Sequence, residues 1–183
     1  AFAMDLIRKS ARQASAKLQF ARLAFGAAGS AGASIDLGDA ENVAKGFMAG
    51  EKATLTWTAT RVLMPKNLVK LLLNLILIAG HAIPRGGLIE VVVTGAAEAP
   101  TFTLTCSGTN ARIPANVESF LAGESGDHVP DAHMIQPIYA GLLARAAGMT
   151  VGVTKDGDVV VFRAEPMPAN GAEVEAAASA TPT

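Results

Sequence analysis

Apolar positions in the first 25 residues recur at a helical beat. Met4, Ile7, Ala11, Ala14, Leu18, Ala21 and Phe25 follow one another at alternating spacings of three and four, the a/d pattern of a helical seam. A lone helix with so many alanines is marginal in water, so the seam calls for partner helices from another subunit, from further sequence, or from both. Gly26 ends the pattern and small residues follow. Residues 36–49 read as a short amphipathic helix with Val43 and Phe47 four apart, and residues 53–59 alternate as a half-buried strand. An apolar helix over 65–80, opened by Pro65, leads to strands at 88–94 and 101–106. A short helix over 115–121, a polar loop over 123–130 and a helix over 132–147 come next. Strands at 149–154 and 158–163 then pair across Lys155-Asp156-Gly157, a hairpin signal. Past Pro166 the chain is Ala, Pro, Ser, Thr and Glu with no apolar period, the signature of a disordered tail. The expected class is α+β, with a helical stem over 1–33, an α/β sandwich over 34–165 and a tail over 166–183.

Composition narrows the classes. In 183 residues, half are apolar but only 5% are aromatic, so the core must be built from aliphatic side chains. The longest apolar run, 68–79, is interrupted by Lys70 and Asn74. It is shorter than the roughly 18–20 residues of a membrane span, and reads as a buried helix. The lone cysteine, Cys106, rules out an intrachain disulfide and fits a reducing compartment. With no secretory signal pattern at the N-terminus, a cytoplasmic location is expected. A net charge of −1 argues against a general nucleic-acid binder. The chain opens inside a helical pattern and without Met, so it reads as part of a longer protein.

Residues 65–95 carry the most specific signal. A helix-opening Pro65, an apolar run holding Asn74, a Pro84-Arg85-Gly86-Gly87 turn and an alternating strand follow in order. They resemble the N-box region of the ATP-binding domains of GHKL-type histidine kinases, which carry Asn-Leu-x-x-Asn-Ala here. This chain has Asn74-Leu75-Ile76-Leu77-Ile78-Ala79. Ile78 stands at the Mg²⁺-holding asparagine, and a hydrocarbon cannot ligate a cation that demands oxygen. In the stretch Thr105-Cys106-Ser107-Gly108, Cys106 takes the place of the adenine-binding aspartate and behaves as a small hydrophobe. Where kinases bare backbone N–H groups to phosphates with Gly-x-Gly, this chain has His133-Met134-Ile135-Gln136-Pro137. The resemblance therefore implies a degenerate ATP site at Asn74, Ile78, Cys106 and Gly108, with neither nucleotide nor metal bound and no cofactor.

The stem string SARQASAKLQFARLAFGAAG, with IPRGG and HMIQPIYAGLLARAAGM further on, resembles the ChpT-type histidine phosphotransferases over residues 1 to about 165. That resemblance implies a homodimer built on a four-helix bundle with a degenerate kinase-like domain attached. It implies phosphoryl relay without ATP, from the receiver domain of a hybrid histidine kinase (CckA-like) to response regulators (CtrA-like, CpdR-like). In that family the phosphoacceptor lies in a His-Asp pair on the first stem helix. None of His81, His128 and His133 fits that setting, so the acceptor is expected upstream of Ala1 and no catalytic residue is assigned in this chain.

The contact feature present is a row beside the seam, Arg8, Arg12, Ser15, Gln19 and Arg22, also at spacings of three and four. Receiver domains surround their phospho-aspartate with carboxylates, and a cationic helix speeds association with such a surface. These five residues are the candidate partner-binding set. A receiver-binding scaffold that accepts no phosphate is the alternative function, and an ATP-binding kinase stands behind it.

Overall fold

The computed structural model describes residues 2–26, 33–124, 132 and 134–168. It opens with α1 (Phe2–Phe25), a 24-residue helix. After it come β1 (Ser34–Asp36) and α2 (Leu37–Met48), then β2 (Ala53–Thr58) and β3 (Leu63–Pro65). The buried helix α3 (Lys66–Ala82) leads into the hairpin β4 (Gly87–Ala96) and β5 (Ala99–Ser107). Two short helices, α4 (Val117–Ala122) and α5 (Ile135–Ala146), precede the closing hairpin β6 (Met149–Asp156) and β7 (Val159–Pro166).

Five strands form a mixed sheet in the order β2-β4-β5-β7-β6, with β2 parallel to β4 and every other pair antiparallel. The inner face carries Ile89 and Val91, Phe102, Leu104 and Cys106, and Val160, Phe162 and Ala164, all buried. The strand period of two turns the alternate residues, among them Thr101, Thr103 and Thr105, to the other face. Helix α3 lies on the inner face, flanked by α2 and α5, which makes a two-layer sandwich. The Asp36 carboxylate accepts hydrogen bonds from the Gly38 and Asp39 N–H groups at 2.7 and 3.3 Å and so caps α2.

The element order is the one the hydrophobic pattern predicts, with two differences. The closing hairpin runs through Asp156, which pairs with Val159, so the turn is Gly157-Asp158 instead of Lys155-Asp156-Gly157. Gly157 has φ +55°, as a two-residue hairpin loop demands. A two-stranded antiparallel sheet of β1 and β3 was not foreseen. At three residues each, these strands are too short to show an alternation. The expected tail falls almost wholly outside the described residues.

Candidate functional site

Helix α1 has two dissimilar faces. Gln13, Ala16, Phe20 and Ala24 face the body of the chain, and Phe20 and Ala24 are fully buried there. The Phe20 ring stacks on Phe47 of α2 with centroids 4.3 Å apart. Lys17 reaches Glu51 at 3.1 Å. Gly46 leaves room for Ala16, and Gly50 for Gln13. The expected seam points the other way. Met4, Ile7 and Leu18 are 54–63% exposed, and Ala11 and Ala14 are exposed with them. Phe25, at the end of the seam, departs from it by meeting Tyr139 of α5 at 6.0 Å. The Phe20 stripe was missed in the sequence because the heptad pattern captures only one apolar face of a helix that has two.

Arg8, Arg12, Ser15, Gln19 and Arg22 all lie exposed along the strip between these faces. Arg8 pairs loosely with Asp5 at 3.7 Å, both ends in solvent, a contact that contributes little. Arg12 and Arg22 have no ion-pair partner among the described residues. The row is therefore a cationic strip beside an uncovered apolar one.

The four positions expected to form a degenerate nucleotide site go to different places. Asn74 is completely buried. Its Nδ2 donates to the carbonyls of Ala24 at 3.0 Å and Lys70 at 2.7 Å, and its Oδ1 accepts from Gln136 Nε2. Ala24 sits in the last turn of α1, whose carbonyls have no partner within the helix. Asn74 supplies one, so a single amide ties α1, α3 and α5 together with both donors and an acceptor in use. Gln136 was seen in the sequence only as an obstruction where a glycine should be, and its partner is 62 residues away. Lys70, the other buried polar residue of α3, has its ammonium pKa lowered by burial and by the charge of Lys66.

Cys106 faces the core opposite Ile89 and Val160, and burial raises its thiol pKa from 9.0 to about 12. Gly108 packs so closely on the Pro84–Gly87 turn that a Cβ there would lie 2.5 Å from the Gly86 carbonyl oxygen. Gly87 (φ +142°) is equally constrained, a Cβ meeting the Ser107 oxygen at 2.1 Å. These glycines close main chain onto main chain. Of the four positions only Ile78 lines the groove described next.

That groove, of about 860 Å³, runs over the C-terminal half of α3. Met48, Ile76, Leu77, Ile78 and Ile113 contribute to its lining, and Pro137 stands beside them. His81 is exposed in the last turn of α3 and also lines the groove. His128 and His133 lie outside the described residues. Among the described residues no cluster of three or more His, Cys, Asp or Glu could hold a metal ion. No helix among them is long and apolar enough to cross a membrane.

A family model, the histidine phosphotransferase C-terminal domain, matches residues 37–159. The chain belongs to this family of histidine phosphotransferases, as the stem string and the IPRGG turn suggested. It is 50% identical over 163 residues to protein phosphotransferase ChpT of Brucella abortus (strain 2308), covering 89% of this chain and 78% of that protein. A bacterial phosphotransferase structure at 1.7 Å superposes with a TM-score of 0.80 at 47% identity, over 89% of this chain and 78% of that one. The histidine kinase domain of the blue-light-activated kinase EL346 of Erythrobacter litoralis aligns with a TM-score of 0.57 at 16% identity, over 91% and 86% of the two chains. That last likeness shows that the fold is the histidine-kinase one.

Proposed function

We propose that this protein relays a phosphoryl group by Asp–His–Asp transfer, without binding ATP. It would take the group from the receiver domain of a hybrid kinase (CckA-like) and pass it to response regulators (CtrA-like, CpdR-like). In the first step an imidazole nitrogen attacks the phosphorus of the donor receiver's aspartyl phosphate and the aspartate carboxylate leaves. In the second a carboxylate oxygen of the response regulator's aspartate attacks the phosphorus of the phosphohistidine and the imidazole leaves. The Mg²⁺ that steadies the phosphoryl oxygens belongs to the receiver. The reading places the acceptor histidine on a stem helix preceding α1, in the cytoplasm, and the basic row Arg8, Arg12, Ser15, Gln19 and Arg22 at the receiver interface.

The observation that carries the reading is α1 itself, within a family of phosphotransferases. One side of the helix is committed to the kinase-like body. The opposite side offers a continuous apolar seam, with unpaired arginines beside it. A homodimeric four-helix stem covers that seam and leaves the arginines for a partner. Loss of ATP binding is supported by the fate of the vestigial site, where Asn74 is consumed as a clasp and Cys106 is sunk in the core.

The test is transfer of radiolabel from an aspartyl-phosphorylated receiver domain to the full-length protein with no nucleotide present. Acid-labile, base-stable label on this protein is the expected result. A stable complex with the receiver and no label would instead establish the scaffold, and label acquired from ATP alone would establish a kinase.

A further inference from the structure

The groove over α3 gathers three basic side chains on its lining. Lys52, just before β2, His81 in α3 and Arg112, after β5, come from three separate segments, all exposed and all lining it. None has an ion-pair partner among the described residues. The carboxylate on the lining, Glu51, is already engaged by Lys17 at 3.1 Å. The backbones that carry two of these groups are fixed. Arg112 N–H donates to the Ala82 carbonyl at 2.9 Å, beside His81. The Lys52 carbonyl oxygen lies 2.7 Å from where a Cβ on Gly86 would sit, so its chain presses directly on the glycine turn.

The floor of the groove is apolar: Phe47, Leu77 and Ile113 are partly exposed on it, with the buried Met48, Ile76 and Ile78 completing the lining. The prolines that line it, Pro84, Pro114 and Pro137, have no N–H to offer. A ligand with many hydroxyl or phosphate oxygens would lay them on this floor without donors, at a desolvation cost. One anionic head at the cationic edge, with an apolar body below, leaves nothing unpaired. The volume of about 860 Å³ is in the range of small-molecule sites.

We propose that this groove binds an anionic amphiphile of the medium-chain fatty-acid class, its carboxylate held by Lys52, His81 and Arg112 and its alkyl chain on the α3 floor.

Decanoate, below its micellar concentration, is the probe, followed by amide NMR on the full chain. Decanol tests the need for charge and inorganic phosphate the need for an apolar body. Saturable decanoate shifts centred on Ile78, His81 and Ile113 are expected, with decanol and phosphate each at least about tenfold weaker. Changing Lys52 and Arg112 together to Gln should weaken decanoate by about tenfold or more, the loss of one to two charge-assisted hydrogen bonds. Gly80→Phe fills the groove without touching a charge, since a Cβ there has nothing within 4 Å, and should abolish binding. Decanol binding as well as decanoate overturns the proposal. So do shifts centred on the α1 seam, or unchanged affinity in Gly80→Phe.

Discussion

Helices α1 and α3 are the two longest among the described residues and are held in opposite ways. Of the 24 residues of α1 only Phe20 and Ala24 are buried, whereas twelve of the 17 in α3 are. Helix α3 is hydrophobic nearly all round because a sheet lies under it and helices flank it, so its sequence belongs to the core. Helix α1 is amphipathic twice over. One stripe docks its C-terminal half to α2 and α3, and a second stripe is exposed. Substitutions in α3 should therefore register in folding, and those in α1 in assembly and exchange.

The largest effect is expected at Leu72, which is fully buried in α3. Leu72→Ala should cost about 2–5 kcal/mol in urea unfolding. A loss below about 1 kcal/mol would mean that α3 is not the core element its burial makes it. Next is the clasp between the two helices. Asn74→Ala leaves Gln136 and the Ala24 carbonyl without their shared partner and should cost about 1–3 kcal/mol. Loss of hydrogen-exchange protection should concentrate in the last turns of α1. If Gln136→Ala in the Asn74→Ala background costs as much as it does alone, the two side chains do not act as a unit.

Cys106 gives the core side of the comparison a pH signature. Its folded pKa of about 12 lies above the ordinary 9.0, so between those values the unfolded chain has lost a proton that the folded chain keeps. Stability then falls as pH rises above 9.0, by at most about 1.4 kcal/mol per unit from this group. Cys106→Ala should remove that part of the slope, read as the difference in urea midpoints between pH 8 and pH 10.5. Identical slopes in the two proteins would show the thiol to be accessible.

For α1 the folding effects shrink while the assembly effects grow. Leu18 is 63% exposed, so Leu18→Asp should leave the stability of the single chain within about 0.5 kcal/mol. It should abolish the dimer of the full-length protein on light scattering, because the charge would be buried unpaired in the bundle. A monomeric unmodified protein would refute the seam assignment. Smallest in stability, again within about 0.5 kcal/mol, is the pair Arg12→Glu and Arg22→Glu. Its effect belongs to the relay: slower transfer to a response regulator at low salt, with the deficit shrinking as salt screens exposed charge. Unaltered transfer at low salt would reduce the row to a solvated surface.

Much of the sandwich was legible because its elements are long and strongly periodic. The alternation in 88–94 and 101–106 marks the central hairpin, and the apolar run around Asn74 marks the core helix. The expectation of a degenerate nucleotide site came from Ile78 and Cys106, which lack the oxygen atoms of the asparagine and aspartate whose places they take. What became of those positions was not legible. Asn74 reads as part of a degenerate ATP site, and its partners Ala24 and Gln136 lie 50 and 62 residues away. Lys52, His81 and Arg112 carry no shared spacing at all.

The family, most of the order of elements and the a/d seam of α1 could be read from the chain directly, because periodicity and residue chemistry are local properties. Only the folded chain reveals that α1 has a second buried stripe through Phe20, that Asn74 serves as a clasp, and that Lys52, His81 and Arg112 line one groove. Those facts depend on which distant segments are brought within a few ångströms of one another. Such contacts follow from packing a helical layer on a sheet, where a partner is chosen by shape and unsatisfied hydrogen bonds instead of by its place in the sequence.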